Sequence, residues 1–432
     1  MNSSFQSTSP SAYVPPTLRT DGRLGYLTPD QTEKLKQLWI CIYDIFDGKA
    51  TFDQSAPTSF KGQVREEETP EAPSSGPLGW FGRNFKNNGP TGPRFTGQDL
   101  YKSFWAYMTQ DHPDTVLLKF LRARKWILDD ALMMVVNTLK WRIVERLQEV
   151  IELSDVELSA KYPNFVDQFR MGKVFLRGAD PLGRPVAFIN VRVHQKSDQP
   201  PETLHRLTLH TLECGRSLAS PASESVIVVF DLSNFGLHNM DWGFVRLFVQ
   251  CFESYYPEFL GVCVIHRAPV LFWDLWRFIQ PLLDPSVASR FVFTRNNAEL
   301  HKVIPRESLP IVHYDGLDNW TYEYIPPREG ENIHMQDTAT KERLLTERRV
   351  LEERFDAATR AWMKDPGYQP SNDRDQIAAA IGEQYVRMSP YTRARTLYHR
   401  MGVLGNDERP HWTYDIKQES HPQQDNGMEL DS

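Results

Sequence analysis

The run "SVIVVF", Ser225 to Phe230, constrains the fold more than any other stretch. Val226, Ile227, Val228 and Val229 are consecutive β-branched residues, so the strand they favour must be covered on both faces. The neighbouring sequence supplies the layers. "KVFLRGADPLGRPVAFINVRVH" reads as two strands about a turn built by Asp180, Pro181 and Gly183. "ETLHRLTLHTLECGRSLA" has helical spacing, and "VCVIHR" and "RFVFTR" read as further strands. Helices lie between them, one starting at Pro269, and a helix-like "AELHKVI" follows. Alternating strands and helices predict an α/β domain with a mixed, largely parallel sheet. "DLSNFG" after the central strand lacks the glycine spacing of a dinucleotide-binding turn.

Upstream, Leu117 to Arg142 reads "LLKFLRARKWILDDALMMVVNTLKWR". Leu117, Leu118 and Leu121 form one helical face. Arg122, Arg124 and Lys125 follow at the helix end, where cations complement the dipole. Trp126 starts a turn, and Asp129 and Asp130 mark the start of a second helix. Two readings of this basic elbow stand: it holds an anionic group, or it is a solvated turn.

The 432 residues suit one large domain with helical flanks. A net charge of −7 argues against a chain built to coat nucleic acid. The 4 cysteines, Cys41, Cys214, Cys251 and Cys263, have no paired spacing and are expected to be thiols. "MNSSFQSTSP" has no basic or apolar region, so no signal peptide is expected. No apolar run reaches the roughly 18 residues that span a bilayer. No "GxSxG" elbow, paired-histidine metal spacing or phosphate loop points to an enzyme. His194, His205, His210, His266 and His301 are scattered and read as structural or exposed.

The flanks divide by composition. Residues 1–26 and 405–432 are expected to be disordered. Residues 27–47 form an amphipathic helix, with Thr28 as cap, Pro29 in the first turn and Glu33 beyond. Its apolar stripe, Leu35, Leu38, Trp39 and Tyr43, packs on the protein or on a membrane. Residues 48–97 read as a linker, in which Trp80, Phe81 and Phe85 stand among Arg83 and Lys86. Residues 317–404 are a helical extension. One charged helix there presents Leu344, Leu351, Phe355, Ala358 and Trp362, and a second is interrupted near Pro390. They suit a docked hairpin better than a coiled coil.

"LLKFLRARKW", "DPLGRPV", "SVIVVFDLSNFGL", "FESYYPEFLGVCVIHRAP" and "PLLDPSVASRFVFTR" occur in order and together resemble the CRAL-TRIO, or Sec-fourteen-like, lipid-binding family. The resemblance covers residues 98–316: a helical subdomain at 98–160 and a lipid-binding domain at 161–316. It implies a mixed, largely parallel sheet with a helix-gated hydrophobic lipid cavity. The helical flanks look like one fungal branch of phosphatidylinositol transfer proteins.

That resemblance assigns Arg124, Glu258 and Arg290 to a phosphoinositol headgroup site, with Lys usual where Arg290 stands. A guanidinium fork can bond two phosphodiester oxygens. A carboxylate accepts from inositol hydroxyls or holds a neighbouring cation; an ion pair with an arginine is the bland alternative. Family members that bind phosphatidylcholine carry hydroxyls where this chain has Val226, Val228 and Phe252. These offer no hydrogen bond, and an unpartnered buried polar group costs ~2–7 kcal/mol. Phosphatidylcholine is therefore disfavoured, and room is left for a sterol precursor or another neutral isoprenoid. Asp315 stands where paired glycines are usual, which puts only the local turn in doubt.

"APVLFWDLWRFIQPLLDP" resembles the family's mobile gate. Leu271, Leu275, Phe278 and Leu282 share one helical face, and Phe272, Trp273 and Trp276 lie on others. Pro269 and Pro281 bound a hinged unit; an ordinary buried helix is the alternative. The resemblance implies no cofactor beyond a bound lipid, phosphatidylinositol. It implies reversible membrane contact from the cytoplasm, on endoplasmic reticulum or endosome, and a lipid kinase or protein partner at the flanks. A lipid-sensing scaffold that binds a neutral apolar lipid is the alternative function.

Overall fold

The computed structural model describes residues 20–53, 94–220, 223–364 and 372–415. β1 (Val174–Ala179), β2 (Pro185–Asn190), β3 (Val226–Asp231), β4 (Leu260–His266) and β5 (Phe291–Thr294) form one sheet in that order. β1 runs antiparallel to β2, and every other pair is parallel. The β1–β2 turn closes on Asp180, whose Oδ1 accepts from the amides of Leu182 and Arg184. Gly183 takes φ +75° there, a conformation only glycine adopts readily.

β3 is covered on both sides, as its composition requires. Val226 and Val228 face one core with Leu176 and Ala187, while Ile227 and Val229 face another with Phe188, Val264 and Ile304. Each buried valine contributes about 1.5–3 kcal/mol. The second core is closed by the segment from Leu300 to Tyr314. Asp315 follows with φ +50°, which aspartate tolerates, and its carboxylate accepts from Asn297 Nδ2 at 2.6 Å.

Several helices position the walls and the helical subdomain. They are α1 (Pro29–Phe46), α2 (Gly97–Tyr107), α3 (Pro113–Ala123), α4 (Leu128–Val144), α5 (Pro201–Leu218) and α6 (Trp242–Gln250). α1 starts with a capping box whose partner is Gln31, not Glu33. α5 is pinned to α4 through Glu213. Arg142 Nη1 donates to it at 3.0 Å, Arg216 at 2.9 Å and the Tyr256 hydroxyl at 2.8 Å. Burial pushes this carboxyl up, but the two guanidinium groups outweigh it and hold it at about 2.

The flanks are more ordered than composition predicts. α7 is the helix Val270–Ile279, and α8 and α9 are the tail helices Thr338–Lys364 and Asn372–Thr392. α8 and α9 pack as a hairpin, joined to α1 and to α2–α4 in one core. Arg374 donates to Asp114 Oδ2 at 2.6 Å, and Trp39 Nε1 donates to Oδ1 of the same buried carboxylate at 2.7 Å. α9 ends two residues past Pro390, which cannot donate to the carbonyl four residues back. Two disorder expectations are corrected in part. Residues 20–26 form turns held by Arg122, which donates to the Gly22 carbonyl. Residues 405–415 lie against β1, where Arg177 donates to the Thr413 carbonyl and Tyr414 accepts from the Ala179 amide. Hydrogen bonds between side chains and backbone, which composition does not report, hold both segments. The remaining disorder expectations, and the cluster of Trp80, Phe81, Phe85, Arg83 and Lys86, lie outside the described residues. Among the described residues, no helix is long and apolar enough to cross a membrane.

Asp356 on α8 accepts from the Tyr43 and Tyr101 hydroxyls at 2.8 and 3.0 Å. Burial pushes its carboxyl up to about 6, despite those hydrogen bonds. The folded state therefore binds this proton more tightly than the unfolded chain, whose value is near 4. The group's contribution is most favourable below about pH 4 and declines as pH rises to about 6. Relative to wild type, Asp356→Asn should gain unfolding free energy across that window, measured by urea denaturation at several pH values. A difference independent of pH would contradict the assignment.

Candidate functional site

Between the sheet and α5–α7 lies an apolar cavity. It leaves about 170 Å³ open to the centre of a water molecule, more than ten times the roughly 10–15 Å³ one water needs. The sheet contributes Leu176, Ala187, Ile189, Val226, Val228 and Phe230. α5 contributes Leu204, Leu207 and Leu212, and α6 contributes Phe244, Val245 and Phe248. Phe252 closes one end from a widened helical turn, Cys251–Tyr255. Val226, Val228 and Phe252 thus all line the cavity, and none brings a hydroxyl to it.

α7 and the single turn Gln280–Leu282 form the remaining wall. Phe272, Trp276, Ile279 and Leu283 face the cavity at helical spacing. Trp276 packs on Phe291, with ring centres 5.1 Å apart. Leu271, Phe278 and Leu282, the stripe most evident in the sequence, face outward instead; Phe278 is 68% exposed. Leu275 is half-buried against the cavity core. Trp273 is 44% exposed beside Phe293. The segment is therefore a wall whose outer face carries an apolar strip beside the exposed Asp274 and Arg277, and the fully buried helix is corrected. An exposed apolar strip of this kind on an otherwise polar surface marks a contact site.

The charged edge lies where the parallel strands begin. Arg124 ends α3, at an elbow where Lys125 and Trp126 take positive φ. Its Nη2 donates to the Glu253 carbonyl at 3.0 Å, at the open end of the widened turn. Burial lowers the guanidinium's affinity for its proton, against the pull of Asp284, Asp130 and Glu253. The Glu253 carboxyl is pushed up by burial and accepts from the Asp284 amide, just beyond the Gln280–Leu282 turn. Glu258, in a left-handed turn before β4, accepts from Arg122 Nε at 2.7 Å. Arg122 also pairs with Glu224 at 3.2 Å, and Arg23 reaches Glu224 at 2.6 Å. Arg290 stands half-buried one residue before β5, its carbonyl accepting from the Cys263 amide. The three expected headgroup residues therefore share one edge of the sheet but belong to adjoining groups. Arg122 and Glu253 are the members that sequence reasoning did not assign. Arg122 lay within the basic run, whereas nothing in the sequence places Glu253 beside the gate.

Of the histidines, His205 contacts Glu145, His266 sits between Thr294 and Asn297, and His301 contacts the Tyr314 carbonyl. His210 is buried under Val150. His194 alone of the five lines the cavity.

Comparison with known proteins identifies the family. The family profile "CRAL/TRIO domain" matches residues 169–316, and "CRAL/TRIO, N-terminal domain" matches residues 57–137. The chain is 34% identical over 310 residues to the CRAL-TRIO domain-containing protein C3H8.02 of Schizosaccharomyces pombe, covering 71% of this chain and 69% of that one. It is 28% identical over 436 residues to phosphatidylinositol transfer protein CSR1 of Eremothecium gossypii, covering 89% and 98%. The crystal structure of Sfh5 overlays with a TM-score of 0.45 and 15% identity, covering 73% of this chain and 100% of that one. A score that low adds nothing to the argument.

The outward position of Trp273 and the inward position of Trp276 make a clear expectation. With vesicles carrying brominated acyl chains, tryptophan emission should be quenched in wild type and in Trp276→Phe. Most of that quenching should disappear in Trp273→Phe. Equal quenching in the two variants would contradict the outward face as the membrane contact.

Proposed function

Because the chain belongs to the CRAL-TRIO family, we propose that it binds single lipid molecules, phosphatidylinositol foremost, and moves or presents them between cytosolic membrane faces. The observation that carries this is the apolar cavity beneath a wall helix that exposes Leu271, Trp273 and Phe278 on its other side. A lipid's chains need such a space, and a wall with an exposed apolar strip can rest on a bilayer while it opens. Transferring one chain into it requires no covalent step, so we read the protein as a carrier and not an enzyme. The similarity to a protein named as a phosphatidylinositol transfer protein, over nearly the whole of both chains, supports the same reading.

In this proposal Arg124 and Arg290 receive the phosphodiester at the charged edge. Glu258 holds Arg122 in place and accepts from the inositol ring. Contact with membranes is reversible, on the cytoplasmic face of endoplasmic reticulum or endosome. The docked flanks present a surface for a lipid kinase or another protein partner. No cofactor is needed beyond the lipid. A second reading is favoured by Val226, Val228 and Phe252: a sensor or scaffold that holds a neutral apolar lipid without transferring it efficiently. Net movement of lipid between vesicles by the purified protein separates the two.

Arg290→Glu should lower vesicle-to-vesicle transfer of labelled phosphatidylinositol at least tenfold with little change in melting temperature. Transfer equal to wild type would remove Arg290 from the site. Phosphatidylcholine should move poorly in the same assay, because the hydroxyls that would meet its headgroup are absent. Efficient phosphatidylcholine transfer by wild type would contradict that specificity.

A further inference from the structure

The cavity has a polar end that the headgroup proposal leaves unused. It lies at the opposite side from the charged edge, where β2 and β3 finish, and includes Lys173, His194, Asn239 and Asp241. Lys173 is 4% exposed, and its Nζ lies 2.9 Å from Gln199 Oε1, 3.2 Å from Asp198 Oδ2 and 3.2 Å from His194 Nδ1. An ammonium donates and never accepts, so Nδ1 must be the acceptor in that contact. The neutral ring then carries its hydrogen on Nε2.

That Nε2 has no hydrogen-bond partner, although His194 is only 8% exposed. Asp241 Oδ2 stands 3.5 Å from it, too long for a good hydrogen bond. The other Asp241 oxygen accepts from the Phe244 amide and fixes the carboxylate at the start of α6. The nearby groups are already occupied. Asn239 donates to the His194 carbonyl and accepts from the Gly236 amide. Thr208 and Thr211 turn their hydroxyls onto their own helix. A buried donor, His194 Nε2, thus faces a partly exposed carboxylate oxygen, Asp241 Oδ2, at a distance that leaves the pair only weakly joined.

From this geometry we infer that the polar end of the cavity binds the lone hydroxyl of an otherwise apolar lipid, a sterol or a prenyl alcohol. A hydroxyl accepts from His194 Nε2–H and donates to Asp241 Oδ2 at once. A pure hydrocarbon leaves both groups unmet, and a phosphate is repelled by the Asp241 carboxylate. An ether accepts from His194 but has nothing to give Asp241. A site built around a hydroxyl rejects analogues that lack it more strongly than an apolar pocket rejects a size change. This inference rests on the cavity being a lipid site and specifies what its second ligand must carry.

The test uses the purified full chain and four probes: cholesterol and geranylgeraniol, each beside its methyl ether. Each competes with a bound fluorescent lipid. At least one alcohol should bind tenfold or more tightly than its ether, and the pair that discriminates identifies the source class. His194→Phe should bring that ratio close to one while ether affinity stays within about twofold, which also shows that the variant is folded. Asp241→Asn retains an oxygen for the Phe244 amide and should lower the ratio severalfold. Alcohol and ether bound equally by wild type in both pairs would overturn the inference, since an ordered water would then satisfy the two groups. So would discrimination that survives His194→Phe. If no probe displaces the fluorescent lipid, the inference is overturned, and if the fluorescent lipid itself fails to bind, the cavity's reading as a lipid site falls with it.

Discussion

The buried charge of Glu213 is the contact on which the arrangement depends. It sits on α5 with Arg142 of α4, Arg216 and the Tyr256 hydroxyl around it, all inside the protein. Ionised at neutral pH, it would be ruinous alone; with two guanidinium groups and a phenol it becomes a joint. The joint fixes α5 to the helical subdomain and to the segment leading into β4. Stacking of Trp141 on Tyr255, with ring centres 4.2 Å apart, supports the same junction. With one face of α5 committed to charge, its other face, Leu204, Leu207 and Leu212, lines the cavity as a wall and meets the sheet at Val174.

The cavity follows from that separation. Apolar side chains would ordinarily close on one another at crystal-like density. Here the sheet and α5 are positioned by contacts outside the chamber, and α6 and α7 bridge the gap. The apolar lining favours hydrocarbon chains over water. Arg124, Glu258 and Arg290 stand at the edge where the parallel strands begin, and Lys173, His194 and Asp241 stand at the polar end where they finish. A carrier of amphipathic molecules needs this separation of chemistries.

The strands and most helices were legible because their periodicities are strong. Val226 to Val229 demanded two covered faces, and both cores are there. The lining role of Phe252 followed from resemblance alone, since nothing local announces a widened turn. The gate shows the limit of helical spacing. Leu271, Phe278 and Leu282 form a good stripe, yet Phe272, Trp276 and Ile279 face inward. Both stripes are apolar, so amphipathicity has no preferred direction to reveal. Pairing of Glu258 with Arg122 and of Arg124 with the Glu253 carbonyl depends on contacts more than a hundred residues apart. The order of residues 20–26 and 405–415 is likewise set by long-range partners, which composition does not encode.

The flanks complete the helical subdomain and are not appendages to it. Asp114 binds Arg374 from the tail and Trp39 from α1, so the three segments share one buried polar centre. The central claim, that the chamber carries one lipid at a time, is tested most directly by native mass spectrometry of the full chain after purification. The account predicts a single adduct of phospholipid or neutral-lipid mass per chain, replaced by labelled lipid after incubation with vesicles. A bare chain that stays bare in the presence of vesicles would contradict it.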